Sequence, residues 1–154
     1  MIQNISAPHQ KREITSSVLQ ALPDWFGIPE SIAEYVEQSA AMPFWADVMD
    51  GDVRGFIALK ETSPYTAEIY VMGVLPAFHR QGIGKALFEA LHDYACSQGY
   101  EFLQVKTVQE GHYREYDLTN AFYRGVGFRE LECFPTLWDE ANPCQILIMN
   151  LKES

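Results

Sequence analysis

Several features that would each indicate a class of protein are missing from this sequence. No stretch approaches the roughly 20 unbroken apolar residues of a membrane-spanning helix, so we expect no membrane partner. The first residues show no basic start followed by an apolar core, so no secretory signal is expected and the prediction is a cytoplasmic protein. Basic residues number 11 against 21 acidic ones, and the net charge of −10 repels a phosphate backbone. A nucleic-acid partner is therefore not expected.

Cysteine and histidine are sparse and are not spaced as ligands. The three cysteines are odd in number and lack close pairs, which indicates reduced thiols rather than disulfides. The four histidines show no His-Glu-x-x-His or Cys/His spacing, so no metal is expected. A Gly-x-Ser-x-Gly turn is also missing, so nothing in the sequence indicates a covalent serine nucleophile.

The length of 154 residues fits one domain with its own core, and the chain begins with signals for helices. Apolar residues at helical spacing predict a first helix over Lys11–Leu22, ended by Pro23. A second helix is predicted to begin at Pro29, because proline suits the first helical position and Glu30 follows in the first turn. A short strand is expected before both helices, at Ile2–Ile5.

Three strands are predicted in the middle of the chain. Phe44–Met49 and Val53–Lys60 are strand-like runs, and Asp50-Gly51 between them suits the left-handed torsions of a tight hairpin turn. After a loop around a proline, the run Ala67–Leu75 is rich in β-branched and apolar residues. Gly73 within this run indicates either a bulge or a close approach of backbone.

The second half of the chain alternates helices with strands. The predicted elements are a helix over Gln81–Gln98, a strand over Phe102–Val108, a helix over Asp117–Val126, and strands over Phe128–Phe134 and Gln145–Leu151. Asp117 is expected to cap its helix, and a loop with Pro135 and Pro143 is expected between the last two strands, which should pair antiparallel. This order predicts an α/β fold in which helices flank a mixed, mostly antiparallel sheet.

The segment with the clearest chemistry leads from a predicted strand into the helix at Gln81–Gln98. It reads His79-Arg80-Gln81-Gly82-Ile83-Gly84-Lys85. Such a junction binds anions, because the first N–H groups of a helix lack internal partners and glycines let a pyrophosphate approach the backbone. A dinucleotide-binding turn would need Gly or Ala where Leu87 stands. A triphosphate-binding loop would need Ser or Thr where Ala86 stands and Gly in place of His79.

This turn resembles the signature of the GNAT acetyltransferase superfamily: Arg or Gln, two residues, Gly, any residue, then Gly or Ala. Here His79 stands at the first position. Residues 119–128 are similar to the family's helix-to-strand motif, with Tyr116 and Thr119 where members often carry Asn and Ala. Residues 67–74 are similar to the strand that bears the base in histone-type members. The resemblance implies one N-acetyltransferase domain over residues 1–154 that uses acetyl-CoA as co-substrate. The residues expected to bind it are Met72, Gly73, Val74, His79, Arg80, Gln81, Gly82, Ile83, Gly84 and Lys85.

The resemblance also implies that an amine attacks the thioester directly, which requires a base, a site for the oxyanion and an acid for the departing thiolate. Tyr123 is the expected general acid. Glu68 is the expected base, directly or through a water. A bulge at Gly73 would leave amides free for the pantetheine arm or the oxyanion. For Tyr123 a role in core packing stays open, and for Glu68 a place on the solvated surface.

The acceptor implied by the resemblance is a primary amine, which we expect to be a small molecule. The loops Leu22–Gly27 and Pro135–Asp139 would border its pocket, and each carries a tryptophan. Aromatic walls with acids nearby suit a cationic amine. A protein N-terminus or lysine as acceptor, and a non-catalytic acyl-CoA sensor, are the alternatives. Dimers are common among similar proteins, which leaves a homodimer open.

Overall fold

A seven-stranded sheet organises the protein in the computed structural model, which describes residues 1–152. Its strands are β1 (Ile2–Asn4), β2 (Phe44–Met49), β3 (Asp52–Ser63), β4 (Thr66–Val74), β5 (Phe102–Val108), β6 (Arg129–Asp139) and β7 (Asn142–Asn150). They lie in the order β1-β2-β3-β4-β5-β7-β6. Only β4 and β5 pair in parallel, and the other neighbours are antiparallel. The predicted α/β fold with a mixed, mostly antiparallel sheet is confirmed.

Four helices flank the sheet: α1 (Pro8–Gln20), α2 (Pro29–Ser39), α3 (Ile83–Ser97) and α4 (Arg114–Val126). Along each strand the side chains alternate between the two faces, so two separate cores form. One core combines α1 with Phe44, Ala46, Phe56, Ala58 and Val71. The other combines α3 with Trp45, Ile57, Leu59, Ile69 and Val105. Among the described residues, no helix is both long and apolar enough to cross a bilayer.

The starts of three helices differ from the prediction. α1 begins at Pro8 and ends at Gln20, because a proline already fits the first turn. α3 begins only at Ile83, because Gly82 before it is left-handed, with φ of 79°. α4 begins at Arg114, so the expected cap at Asp117 is wrong. The Asp117 carboxylate instead accepts the N–H of Gly111 at 2.8 Å and fastens the loop that precedes the helix.

The predicted loop between the last two strands is also wrong. β6 continues to Asp139 and β7 starts at Asn142, so Pro135 and Pro143 lie within strands. β6 is an edge strand, where a missing N–H is tolerated. The Asp139 carboxylate accepts the N–H of Asn142 at 2.9 Å and closes a tight turn.

The bulge predicted at Gly73 is wrong, and the close approach to this glycine is made by side chains rather than by backbone. Gly73 pairs regularly with Phe56, whereas Tyr70 is skipped between the paired residues Val71 and Ile69. The extra residue of β4 is therefore Tyr70. A Cβ on Gly73 would lie 3.0 Å from side-chain carbons of Val18 and Leu22, so α1 packs directly on this glycine. The hairpin at Asp50-Gly51 is confirmed, with φ of 52° and 84°.

Candidate active site

A gap between β4 and β5 forms the centre of the site. The two strands pair only from Thr66 to Ile69 on β4, although β4 continues to Val74. The pairing ends where Tyr70 bulges, because a bulge bends its strand away from a neighbour. A cavity of about 1170 Å³ opens in this gap and is lined by both strands, α4, the α3 turn and the loop after α1.

Backbone amides of β4 face this gap. The N–H of Leu75 donates to the carbonyl of Arg54 at 2.8 Å, which is a bond toward β3. Because backbone groups alternate in direction along a strand of an antiparallel pair, Gly73 also points toward β3, while Met72 and Val74 point toward the gap. Free amides were predicted around Gly73, and the structure assigns their cause to the Tyr70 bulge.

The turn before α3 presents a series of free N–H groups. Arg80 and Gly82 both have left-handed torsions, with φ of 64° and 79°. Within residues 1–152, no backbone N–H from residues 80–85 donates a hydrogen bond to another protein group, and no side chain caps α3. Successive N–H groups in such a turn form a concave anion site, which the helix dipole reinforces.

Of the residues expected to bind the co-substrate, all but one line the cavity. Gln81 does not line the cavity. Those that do are Met72, Gly73, Val74, His79, Arg80, Gly82, Ile83, Gly84 and Lys85. His79 donates its Nε2–H to the carbonyl of Val74 at 2.7 Å, which fastens the turn to the end of β4.

Tyr123 lies at the wall of the cavity that α4 forms. Its side chain is packed edge-on against the rings of Phe122 and Phe128 and is 5% exposed. Its hydroxyl lies 4.0 Å from the sulfur of Met72, on the strand across the gap. Burial raises the pKa of Tyr123 far above its ordinary value, with a smaller contribution from Tyr35. The phenol thus belongs to the core and also lines the cavity, with its hydroxyl near Met72.

Glu68 lies on β4 just before the gap and is 5% exposed, so the surface position left open by the sequence is wrong. Its carboxylate accepts a hydrogen bond from Gln104 Nε2 at 2.7 Å and lies 3.4 Å from Lys106 Nζ. Both partners belong to β5. A buried carboxylate with two such partners is held in one orientation at the cavity wall.

Further cavity residues were not singled out from the sequence. Tyr35 of α2 lies 5.2 Å from the Tyr70 ring, and Lys60 Nζ lies 5.7 Å from the centre of that ring. Burial, followed by the charges of Tyr35, Glu34 and Glu68, raises the pKa of Tyr70 to about 12. Lys60 and Tyr70 come from the consecutive strands β3 and β4, whereas Tyr35 comes from α2, and no local spacing relates Tyr35 to the other two.

Asn120 was also missed, although it seats α4 on the sheet. It is fully buried, accepts a hydrogen bond from Thr107 Oγ1 at 2.6 Å and donates to the carbonyl of Val108 at 3.0 Å. These bonds hold the helix that carries Tyr123 against the end of β5. His112, a histidine that could in principle act as a base, is exposed and does not line the cavity.

Both tryptophan loops reach the cavity, through Trp25 and Trp138. Trp138 is 46% exposed and lies near the end of β6, which is a strand rather than the predicted loop. Within residues 1–152, no three His, Cys, Asp or Glu side chains gather in a way that could hold a metal ion.

Comparisons with known proteins show which family the sequence matches. The model of the acetyltransferase (GNAT) family matches residues 8–128. The N-alpha-acetyltransferase RimI of Mycobacterium tuberculosis is 35% identical over 77 residues. That match covers 50% of this chain and spans 44% of the relative.

Solved structures share the fold over nearly the whole chain. A structure from Desulfovibrio desulfuricans assigned to the GNAT family has a TM-score of 0.83 with 19% identity and covers 98% of both chains. An aminoglycoside 6'-N-acetyltransferase complexed with coenzyme A has a TM-score of 0.79 with 17% identity, over 100% of this chain and 98% of that one. At these identities the likeness concerns the fold.

Proposed function

Because this chain belongs to the acetyltransferase (GNAT) family, we propose that it transfers an acetyl group from acetyl-CoA to the primary amine of a small molecule. The observation that carries this proposal is the free N–H groups of residues 80–85, beside a cavity that continues between β4 and β5. An anion site next to a narrow channel fits a co-substrate with a pyrophosphate and a thin arm.

The turn residues fit the charged part of acetyl-CoA. Nothing lies within 4 Å of the position a Cβ would take on Gly82, so the backbone there is open to a ligand. Arg80 and Lys85 add positive charge in a protein whose net charge is −10. Acetyl-CoA supplies the acetyl group as a thioester when bound. Met72 and Val74 would direct their amides at the arm or at the developing oxyanion.

Glu68 and Tyr123 divide the proton transfers of the proposed step. A bond forms between the amine nitrogen and the acyl carbon, and the carbon–sulfur bond breaks. Glu68 takes a proton from the ammonium form of the amine before attack, directly or through a water. The nitrogen loses its second proton to solvent as the amide forms, and Tyr123 gives a proton to the departing sulfur. The products are an amide and a thiol, and proton exchange with solvent resets both side chains.

The far end of the cavity favours a small cationic acceptor. Tyr35, Tyr70 and Trp138 provide aromatic walls, and Glu34 and Glu68 provide negative charge. Such walls attract an ammonium group through the ring faces. A protein N-terminus is the second candidate, because the mycobacterial relative is an N-alpha-acetyltransferase.

Calorimetric titration with acetyl-CoA tests the co-substrate directly. The parent protein should bind it, and Gly82→Glu should abolish binding by placing a carboxylate where the pyrophosphate would lie. Gln98→Glu is the matched control, because it adds the same charge at the C-terminal end of α3 and should bind normally. Thermal melting of each variant shows whether the left-handed position at residue 82 tolerates the change.

Release of the CoA thiol over a panel of small amines and N-terminal peptides tests the acceptor. Fast turnover of small amines would support the proposal, whereas selective turnover of peptides would favour the second candidate. Binding without turnover of any amine would indicate the acyl-CoA sensor instead. A parent protein that does not bind acetyl-CoA would contradict the proposed function altogether.

A further inference from the structure

The loop after α1 is tied to α4 across the cavity by three hydrogen bonds. The indole Nε1–H of Trp25 is shared between the carbonyl of Glu115 and Oγ1 of Thr119, at 3.2 Å each. In return, the hydroxyl of Tyr116 donates to the carbonyl of Trp25 at 2.7 Å. We call this set the Trp25 clasp. It links one loop residue to the first turns of the helix that carries the proposed acid.

Trp25 also reaches the opposite side of the gap. Its ring lies edge-on to the ring of His79, with centres 5.9 Å apart and planes at 86°. His79 in turn bonds the carbonyl of Val74 at the end of β4. One indole therefore connects α4, which follows β5, to the turn that follows β4.

The Trp25 clasp lies between the turn and α4, because Trp25 contacts His79 on one side and bonds residues of α4 on the other. Trp25, Tyr116, Thr119 and His79 all line the cavity. On the α4 side, Tyr116 lies near enough to Tyr35 of the proposed acceptor pocket for Tyr35 to contribute, after burial, to its raised pKa. A ligand that occupies only the turn need not pass the clasp, whereas one that continues into the β4–β5 gap must pass beside Trp25.

We propose that Trp25 is a positioning residue that holds the pantetheine arm of acetyl-CoA in the gap, and that the Trp25 clasp opens to admit this arm. The inference rests on the proposed function. The nucleotide half of the co-substrate then needs only the turn, while the arm needs the clasp. A closed clasp keeps the thioester near Tyr123 and separates it from solvent above the gap.

This proposal predicts different behaviour for two parts of the same co-substrate. Association of whole CoA is limited by opening of the clasp, so its observed rate should level off at high ligand concentration. The observed association rate of 3'-phosphoadenosine 5'-diphosphate, which keeps the pyrophosphate and lacks the arm, should rise linearly with concentration. Loss of a clasp hydrogen bond should speed the release of CoA and leave the binding and release rates of the nucleotide unchanged.

The test compares CoA and 3'-phosphoadenosine 5'-diphosphate on the parent protein and on Tyr116→Phe and Trp25→Phe, by calorimetry and stopped-flow binding. We expect each variant to raise both the limiting association rate and the release rate of CoA by about fivefold or more, as the loss of one hydrogen bond that closes the clasp predicts, with unchanged nucleotide kinetics. Tyr113→Phe is the matched control, because its hydroxyl bonds Ala141 outside the cavity. It should bind both ligands like the parent protein.

The possible results separate this proposal from the proposed function. If the parent protein binds CoA and both clasp variants match it for both ligands, the clasp proposal is wrong and the function stands. Equal weakening of CoA and nucleotide would also overturn it, because that pattern indicates a disturbed turn. If the parent protein binds neither ligand, both proposals fail. Thr119→Ala, which removes one acceptor from the surface of α4, covers the case in which Trp25→Phe does not fold.

Discussion

The Tyr123 phenol carries its proton at physiological pH even at the ordinary tyrosine pKa of about 10, and burial raises this pKa further. If that proton passes to the departing sulfur, Tyr123→Phe should lower kcat by about 10²-fold or more. The KM for acetyl-CoA should change little, since the ring contacts with Phe122 and Phe128 are retained. Steady-state assays of thiol release measure both constants.

A partly buried tyrosine outside the cavity provides the control for this substitution. Tyr94 packs against Trp45, with ring centres 5.2 Å apart, and does not line the cavity. Tyr94→Phe should leave kcat unchanged. Near-normal turnover by Tyr123→Phe would mean that Tyr123 serves only to pack the core.

The Glu68 carboxylate has a second testable consequence, which depends on pH. An amine with a pKa of about 10 arrives protonated at neutral pH, so a base must accept its proton. Glu68→Gln should lower kcat/KM by about 10²-fold near neutrality, and the deficit should narrow as the pH approaches the pKa of the amine. Glu61→Gln is the control, because Glu61 is exposed and bonds Tyr100 away from the cavity. A parallel pH profile for Glu68→Gln and the parent protein would remove Glu68 from the mechanism.

At the scale of elements, the packing of α1 against β4 requires a residue without a side chain at position 73. Val18 and Leu22 are almost fully buried, and each would lie 3.0 Å from a Cβ at position 73. Gly73→Val should therefore destabilise the protein by about 1–3 kcal/mol through overpacking. Urea denaturation measures the change in the free energy of unfolding.

A second glycine, in α4, should respond in the opposite direction. No atom lies within 4 Å of a Cβ at Gly125, and its torsions are helical. Gly125→Ala should stabilise the protein by up to about 1 kcal/mol in the same urea measurement, because alanine favours the helix.

If Gly73→Val were as stable as the parent protein, α1 would have to pack on β4 less tightly than the structure shows.

Stability of the whole molecule should fall at alkaline pH, because several tyrosines have raised pKa values. Burial is the main cause for each of them: Tyr35, Tyr70, Tyr100, Tyr116 and Tyr123. For Tyr70 and Tyr116 the pKa rises to about 12. Below the unfolded value of about 10, both states keep these protons and stability is unaffected. Between about 10 and about 12 only the unfolded chain releases them, so the free energy of unfolding decreases.

Tyrosinate absorbance checks this expectation. In the native protein most of the rise in absorbance should occur above the pH at which the same chain titrates in concentrated urea. Urea denaturation at several alkaline pH values should show the parallel loss of stability. Coincident titration curves in the folded and unfolded protein would contradict the raised pKa values.

The sequence by itself determined the elements and motifs that depend on local torsions. Asp50-Gly51 and Gly82 adopt the left-handed conformations that a tight turn and a helix start require. The alternating apolar positions of the strands, and the helical spacing within α3, were also visible locally. These signals predicted the order of the elements and the anion-binding turn, because each depends on a few neighbouring residues. The candidate roles of Tyr123 and Glu68 came instead from the resemblance of the surrounding motifs to a family.

Only the tertiary structure decided how distant segments complete the site. The bulge at Tyr70 depends on the register of β4 with β3, and a shift of one residue is invisible in the composition of either strand. The bonds of Trp25 to α4 join residues about 90 positions apart. The burial of Glu68 depends on two partners from β5. Such contacts arise from the packing of whole elements, which is why local patterns did not reveal them.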